Sequence, residues 1–340
     1  MTILVTGGAG YIGSVVTEEL QRQGYGVVVF DNLQQGHQEA VLPGAIFIKG
    51  DLANRSLLDN VFRNSNINAV VHMAAETVVK HSMTDPQRYF KNNVVNGINL
   101  LDTMLKYHVK KIIFSSSAAV YGEPIETPIK ENHPQNPVNS YGESKLMFEK
   151  ILDWYHRAYG IKYVSLRYFN AAGASEKLGE DHNPETHLIP LILKCALNLK
   201  NKKKTNQKVK IFGTDYPTKD GTCIRDYIHV IDLARAHLLA LEHIDDLGAR
   251  IYNLGNGDGY SVLEVIEIAK KVTGIDIPTV STSRREGDPA VLVASSDKIR
   301  DELGWQPEYK ELELIIQSAW NWYLEHPNGY SNSQDGGRFR

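Results

Sequence analysis

The sequence predicts an α/β protein, a doubly wound parallel sheet of the Rossmann kind joined to a smaller α/β C-terminal substrate domain. Three observations carry this. A β-rich run, Thr2–Thr6, enters a glycine turn, Gly7-Gly8-Ala9-Gly10-Tyr11-Ile12-Gly13, and leaves it in a helical pattern carried by Val15, Val16 and Leu20. The next strand-like runs end in acids, Asp31 and Asp51. Strand and helix patterns then alternate as far as the serine run at Ser115, which implies parallel strands with crossover helices and ligands at their carboxyl ends.

The totals fit this class. A chain of 340 residues is long enough for one large or two intimate domains, and 42% apolar with 23% charged residues is ordinary globular composition. A net charge of -3 gives no electrostatic basis for binding nucleic acid or an anionic membrane. The two cysteines, Cys195 and Cys223, have no metal-like spacing and suit a reducing compartment. The start, Met-Thr-Ile-Leu-Val, enters a strand at once without the parts of a signal peptide, and no apolar run approaches a membrane span, so a cytoplasmic location is expected. The twelve histidines look scattered, and no protein-bound metal is expected.

In chain order, the glycines allow a tight turn and a close approach to a pyrophosphate, with the free N–H groups and positive dipole end of the following helix behind them. The strand over residues 25–30 delivers Asp31 eighteen residues after Gly13, near the roughly 20 expected for an acid that takes the ribose hydroxyls. A carboxylate there repels a 2′-phosphate, so NAD is favoured over NADP. Residues 45–52 read as another strand, ending at Asp51-Leu52. A helix near 56–64 and a strand at 69–72 follow. That strand leads into Met73-Ala74-Ala75, whose small side chains let a cofactor pass. A helix over 92–107 and a strand over 111–115 bring Ser115, Ser116 and Ser117 to the same sheet edge. A serine run is also a common solvated turn.

Beyond a proline-punctuated loop stands Ser140-Tyr141-Gly142-Glu143-Ser144-Lys145. Ser140 with Glu143 reads as a capping box, starting a helix at or beside Ser140 that runs to Gly160. Tyr141 and Lys145 then lie one turn apart on one face. An ammonium in register with a phenol stabilises the phenolate, so the Tyr141 pKa is expected to fall from about 10 toward the working range of an acid/base group. Alone, the spacing also fits a chance pair on a solvated face.

With these motifs quoted, the chain resembles the extended branch of the short-chain dehydrogenase/reductase superfamily and, within it, the UDP-glucose 4-epimerase family. The resemblance rests on Gly7-x-x-Gly10-x-x-Gly13, Asp31-Asn32-Leu33, Asn92-Asn93-Val94, Ser115 to Gly122, Tyr141-x-x-x-Lys145 and Leu166-Arg-Tyr-Phe-Asn170. Later in the chain come Ile211 to Thr218, Asp220-Gly-Thr222, Arg225 to Val230 and Arg284-Arg285-x-Gly287-Asp288. It covers roughly Met1 to His326. It implies Ser117, Tyr141 and Lys145 as catalytic residues. It implies NAD contacts from Gly7, Gly10, Tyr11, Ile12, Gly13, Asp31, Asn32, Asp51, Leu52, Met73, Ala74, Ala75, Asn92, Ser115, Tyr141, Lys145 and Tyr168. For a UDP-sugar substrate it implies Ser117, Tyr141, Asn170, His187, Leu188, Phe212, Arg225, Arg285, Asp288 and Val291. The activity implied is reversible C4 inversion of UDP-glucose and UDP-galactose through a 4-keto sugar, in a homodimer built on the two long helices. The segment Glu76 to Ser82 departs from the family's usual run after the paired alanines. Val291 stands where a bulky Tyr can stand in the family, and a smaller side chain there implies room for a 2-acetamido group.

The C-terminal half, on its own residues, has a polar loop from Gly173 to Glu185, then an apolar helical pattern over 187–199. The lysine-rich stretch with Lys202-Lys203-Lys204 reads as a solvated loop, lacking interleaved aromatics. Residues 225–255 are expected to return to the first domain (1–171), with 226–229 adding a strand and 231–241 a helix to its sheet. Residues 172–224 and 256–328 would form the substrate domain, and 329–340 a mobile tail. Rival readings remain. A nucleotide-sugar 4,6-dehydratase needs an acid pair where Ala118-Ala119 stand. A 4-epimerase of UDP-N-acetylglucosamine, UDP-xylose or UDP-glucuronate shares every motif. A non-catalytic NAD-binding sensor has no need of Tyr141 and Lys145.

Overall fold

In the computed structural model, which describes residues 1–202, 208–285 and 287–330, the first half is the alternation expected. Strands β1 (Thr2–Thr6), β2 (Gly26–Asp31), β3 (Ile46–Lys49), β4 (Ile67–His72), β5 (Lys111–Ser117) and β6 (Lys162–Tyr168) are joined by α1 (Tyr11–Arg22), α2 (Arg55–Ser65), the short α3 (Val79–Ser82) and α4 (Pro86–Tyr89), α5 (Asn96–Lys106) and α6 (Ser140–Tyr159). After the short β7 (Asn170–Ala172) come α7 (Leu188–Lys200), β8 (Val209–Phe212), β9 (Ile224–His229), α8 (Val230–Leu247) and β10 (Ala249–Leu254). The remaining elements are β11 (Gly259–Ser261), α9 (Val262–Thr273), β12 (Thr279–Thr282), β13 (Val291–Leu292), α10 (Asp297–Leu303) and α11 (Leu312–Glu325).

The main sheet has the order β10-β6-β5-β4-β1-β2-β3, every pairing parallel. The order reverses between β1 and β4, and a doubly wound sheet binds its ligand in the crevice at that switch point. The central strands are apolar on both faces: Ile3, Leu4, Val5, Val28, Val29, Val70 and Val71 are all essentially inaccessible. This is the pattern of strands covered by helices on both sides. One cluster of buried apolar residues runs from Ile3 and Val5 through Leu233 and Leu241 of α8 to Trp305 and Trp320, so the two halves share a core. Each such side chain contributes roughly 1.5–3 kcal/mol on burial.

Three expectations are corrected here. Strand β9 does not join the main sheet. It pairs with β7, β11 and β13 in a second, four-stranded sheet, while α8 and β10 do return, α8 against α1 and β10 against β6. The anticipated helix over 92–107 begins as a wider π-helical segment, Phe90–Val95, before α5. There Asn93 is buried and its amide binds the backbone N–H and C=O of Glu76 and the Ser144 hydroxyl, ties that hold the widened turn. The cap of α6 is Asn139, whose side-chain oxygen accepts from Gly142 N at 2.8 Å. Ser140 instead donates its hydroxyl to the carbonyl of Ser82. No helix among the described residues is long and apolar enough to cross a membrane. Of the tail expected to be mobile over 329–340, residues 331–340 lie outside the described residues, as do Lys203 and Lys204, whereas Tyr330 is buried and held by hydrogen bonds to Gly179 and Asp181.

Candidate active site

A cavity of about 1250 Å³ opens along the carboxyl ends of the main sheet and continues between the two halves of the chain. Its floor at one end is the glycine turn. The backbone N–H of Gly7 donates to Phe30 C=O at 2.9 Å, tying β1 to β2 across the turn, and α1 starts on Gly10 with no side-chain cap. A Cβ at Gly13 would lie 2.1 Å from Gly7 O and 2.9 Å from Gly8 Cα, so only glycine lets the first turn of α1 close against the loop. Gly7, Gly10, Tyr11, Ile12 and Gly13 all line the cavity. The Tyr11 hydroxyl is committed elsewhere, donating to Gly173 C=O at 2.7 Å and joining the loop to the second half.

At the end of β2 the Asp31 carboxylate accepts from Ala9 N at 3.0 Å and Leu33 N at 2.8 Å, and burial raises its pKa against the pull of those amides. Asn32 donates to Asp51 at 2.8 Å, closing the rim. Leu52, Met73, Ala74, Ala75, Asn92 and Ser115 continue the wall.

Ser117, Tyr141 and Lys145 meet on the opposite wall, beside Tyr168. The first turn of α6 can press against the loop after β5 because Gly142 has no side chain: a Cβ there would stand 2.4 Å from Ala119 O. Lys145 is 2% exposed, donates from Nζ to Ser115 C=O at 2.8 Å, and lies 5.9 Å from the Tyr141 ring centre and 5.0 Å from that of Phe114. Burial pushes the Lys145 pKa down to about 7, opposed by the carboxylate of Glu149 one turn on. The expected lowering of Tyr141 is not found in the protein alone. Its ring is partly open to the cleft yet ringed by protein, and burial raises its phenol above the ordinary value, with a hydrogen-bonding contact from Ser117 working the other way. The Lys145 ammonium is bonded to the Ser115 carbonyl rather than to the phenol.

Behind this wall is a buried network. Arg167 donates to both oxygens of Glu149, at 2.9 and 2.6 Å, and to the Tyr121 hydroxyl at 2.8 Å; Ser116 donates to Glu149 at 2.5 Å. It fixes the face of α6 that carries Lys145.

The far end of the cavity belongs to the second half. Arg225, on β9, pairs with Asp288 and donates to Ile224 C=O at 2.8 Å; Arg285 lies with its guanidinium 4.5 Å from the Phe212 ring centre. Strand β9 is seated by Asp226, a buried carboxylate that accepts from Asn256 N, Gly257 N and Ala294 N at 2.8, 3.1 and 3.0 Å and that burial pushes up to about 7. Asn170 donates to Asp226 C=O at 2.8 Å, which leaves its amide oxygen as the available group. His187 and Leu188 sit where α7 begins, at the cavity edge. Val291 is not among the lining residues: its backbone pairs with β9 opposite Ile224, and its neighbour Leu292 lines the cavity in its place.

Several lining residues carried no sequence signal. Gln34, Thr77, Lys80, Lys210 and Cys223 reach the cavity from loops, the one-turn helix α3 or a short strand without a recognisable motif. Glu180, His182 and Glu185 do so from the polar loop before α7, where the alternation of Glu180, His182, Glu185 and His187 within eight residues is the one clue the sequence offers.

A glycine-lined strand-to-helix turn, an acid at the end of the next strand and a Ser/Tyr/Lys wall define a dinucleotide-dependent enzyme of the short-chain type. Residues 3–255 match the NAD dependent epimerase/dehydratase family, and the chain belongs to it. It is similar over nearly its whole length to the UDP-glucose 4-epimerase of Halalkalibacterium halodurans, 52% identical over 334 residues that make up 97% of this chain and 98% of the relative. A solved UDP-glucose 4-epimerase from Bifidobacterium longum, in complex with NAD+ and UDP, superimposes with a TM-score of 0.91 at 41% identity, covering 97% of this chain and 100% of that one. The UDP-Glc/GlcNAc 4-epimerase of Campylobacter jejuni does so with a TM-score of 0.81 at 42% identity, covering 95% and 99%. The residues present fit NAD: the Gly13 contact leaves the loop backbone bare toward the cavity, and Asp31 offers a carboxylate where the ribose hydroxyls of a dinucleotide lie in such folds.

Proposed function

We propose that this enzyme interconverts UDP-glucose and UDP-galactose by inverting C4 through a 4-keto sugar, with NAD as the resident cofactor. The observation that carries the reading is that Ser117, Tyr141 and Lys145 share one cavity with the glycine turn on one side and Arg225, Arg285 and Phe212 on the other. Guanidinium groups bind phosphate oxygens in a fork, and an aromatic ring under Arg285 suits a flat base. When bound, NAD+ supplies an electron sink that takes the C4 hydrogen with its electron pair and returns it, leaving no net redox change. Tyr141 accepts the proton of the 4-hydroxyl, directly or through Ser117, and gives it back to the keto oxygen. Lys145 keeps a cation beside the phenolate as that charge develops. The nucleotide end is held by Arg225, Arg285 and Phe212 while the keto sugar turns its other face to the cofactor. Replacing Tyr141 by Phe is expected to reduce turnover by roughly 10²–10⁴-fold with NAD still bound; turnover near that of the parent refutes the assignment.

The acetamido-sugar pair is also expected as substrate, because the cavity wall near Asp288 carries the aliphatic Leu292 rather than a bulky aromatic. Ala118 and Ala119 offer no acid for the elimination a dehydratase performs. The chain is proposed to act in the cytoplasm as a homodimer. Support for the dimer comes from the exposed apolar side chains Met147 and Trp154 on α6 and Val95 just before α5.

A further inference from the structure

The loop between β7 and α7 carries a feature with no part in the chemistry above. Within it Glu180, His182, Glu185 and His187 each bring one ligand-type atom into a group whose members all lie within 4.8 Å of one another. His182 Nδ1 and His187 Nδ1 stand 2.9 and 2.8 Å from one oxygen of Glu180, and His187 Nδ1 is 2.9 Å from Glu185 Oε1. The carboxylates are withdrawn from water, with the side chains of Glu180 and Glu185 only 6% and 5% exposed, whereas the imidazoles lie toward the cleft. Glu185 Oε1 also accepts the backbone N–H groups of Thr186 and His187. Its second oxygen, Oε2, is buried without any hydrogen-bond partner. A buried carboxylate oxygen with no donor is costly, and Glu185 carries one in a group that also holds two imidazoles and a second carboxylate.

We infer that Glu180, His182, Glu185 and His187 bind one divalent transition-metal cation, of which zinc is the type. Two imidazole nitrogens with two carboxylate oxygens suit zinc and its neighbours, whereas magnesium and calcium take oxygen ligands. Four protein ligands close a tetrahedron, the arrangement of a structural rather than a catalytic ion. Bonds of about 2.0–2.2 Å place tetrahedral ligands roughly 3.3–3.5 Å apart. The 2.8–2.9 Å pairs therefore open by about half an ångström and the widest separation, up to 4.8 Å, closes by a little over one, within the freedom of side chains on a loop.

The loop is already fixed on both flanks. The Tyr323 hydroxyl donates to Glu180 C=O at 2.9 Å, Tyr330 N donates to Asp181 at 3.0 Å, and α7 begins directly after His187. All four ligands border the cavity, so an ion reaches them from solvent. The ion ties the loop into the start of α7 and thereby sets the wall formed by His187 and Leu188. Its removal acts on substrate affinity through that wall, and the site stands whether or not the sugar assignment is correct.

The test is zinc binding by the untagged full chain after treatment with a chelator, followed by calorimetric titration with zinc chloride and by cobalt(II) spectroscopy. The inference predicts saturable binding of one ion per chain and, with cobalt, the intense visible bands of a four-coordinate site. His182→Gln and Glu185→Gln are each expected to weaken binding at least tenfold while the far-ultraviolet circular dichroism is unchanged. Binding well below one ion per chain overturns the inference, as do octahedral cobalt bands. Equal affinity in the parent and in both variants overturns it too, since the ion is then held elsewhere.

Discussion

Replacing Glu149 by Gln tests whether the wall carrying Lys145 is built as described. Glu149 and Arg167 are 2% and 1% exposed at their side chains and are joined by two hydrogen bonds of 2.9 and 2.6 Å. A Gln of the same shape keeps one acceptor oxygen but places an amide N–H₂ against the guanidinium, leaving a buried cation without its counter-charge. Breaking such a pair costs about 3–5 kcal/mol, against roughly 5–15 kcal/mol for the stability of a whole domain. The equilibrium constant for unfolding should therefore rise by roughly 10²–10⁴-fold, measured by urea titration followed by tryptophan fluorescence. A second effect reaches the chemistry. Burial already lowers the Lys145 pKa to about 7, and Glu149 is the charge that opposes this. A depressed lysine is an ammonium below its pKa and loses the proton as pH rises through it. Without Glu149 that loss moves to lower pH, so the limb of the turnover profile that falls with rising pH should shift downward. A destabilisation below about 1 kcal/mol, or an unmoved limb, refutes the reasoning. Replacing both Glu149 and Arg167 by Met should recover much of the stability, because no unpaired charge then remains.

Other consequences are as specific. Gly13→Ala puts a methyl group where Gly7 O stands 2.1 Å away, so the loop must shift, and NAD affinity should fall at least tenfold, about 1.4 kcal/mol, in a fluorescence titration. UDP-N-acetylglucosamine should be turned over by the parent and rejected by Leu292→Tyr with UDP-glucose turnover largely kept; zero turnover in the parent contradicts the reading of that wall. Arg225→Leu should raise KM more than it lowers kcat if, as proposed, its guanidinium holds the nucleotide end through the whole cycle; an unchanged KM counts against the role.

Much of the architecture was legible because it is local. Glycines at the end of a short apolar strand, an acid at the end of the next and repeated strand–helix patterns give the main sheet and its binding edge without tertiary knowledge. Residues 226–229 read as a strand from their sequence, which does not say which neighbour they pair with; Asp226, by accepting three backbone N–H groups, seats β9 in the second sheet instead. The capping residue was missed by one position because Asn139 and Ser140 can both cap, and the choice falls to the residue whose backbone is extended. Val291 and Leu292 alternate across a two-residue strand, so an offset of one exchanges wall for backing. The spacing shows the Tyr141–Lys145 pair but not its electrostatics: burial, a property of everything packed around α6, raises the Tyr141 phenol and lowers the Lys145 ammonium. The Glu/His group before α7 lies on a loop without periodicity, where only folding brings the four side chains together.

The central claim is that C4 is oxidised and reduced again inside one closed site. UDP-glucose carrying deuterium at C4 tests it directly. Incubated with the enzyme in ordinary water, it should yield UDP-galactose with the deuterium still at C4, and magnetic resonance of the product reports this. Deuterium replaced by solvent hydrogen would mean that C4 is deprotonated rather than oxidised, and would contradict the account.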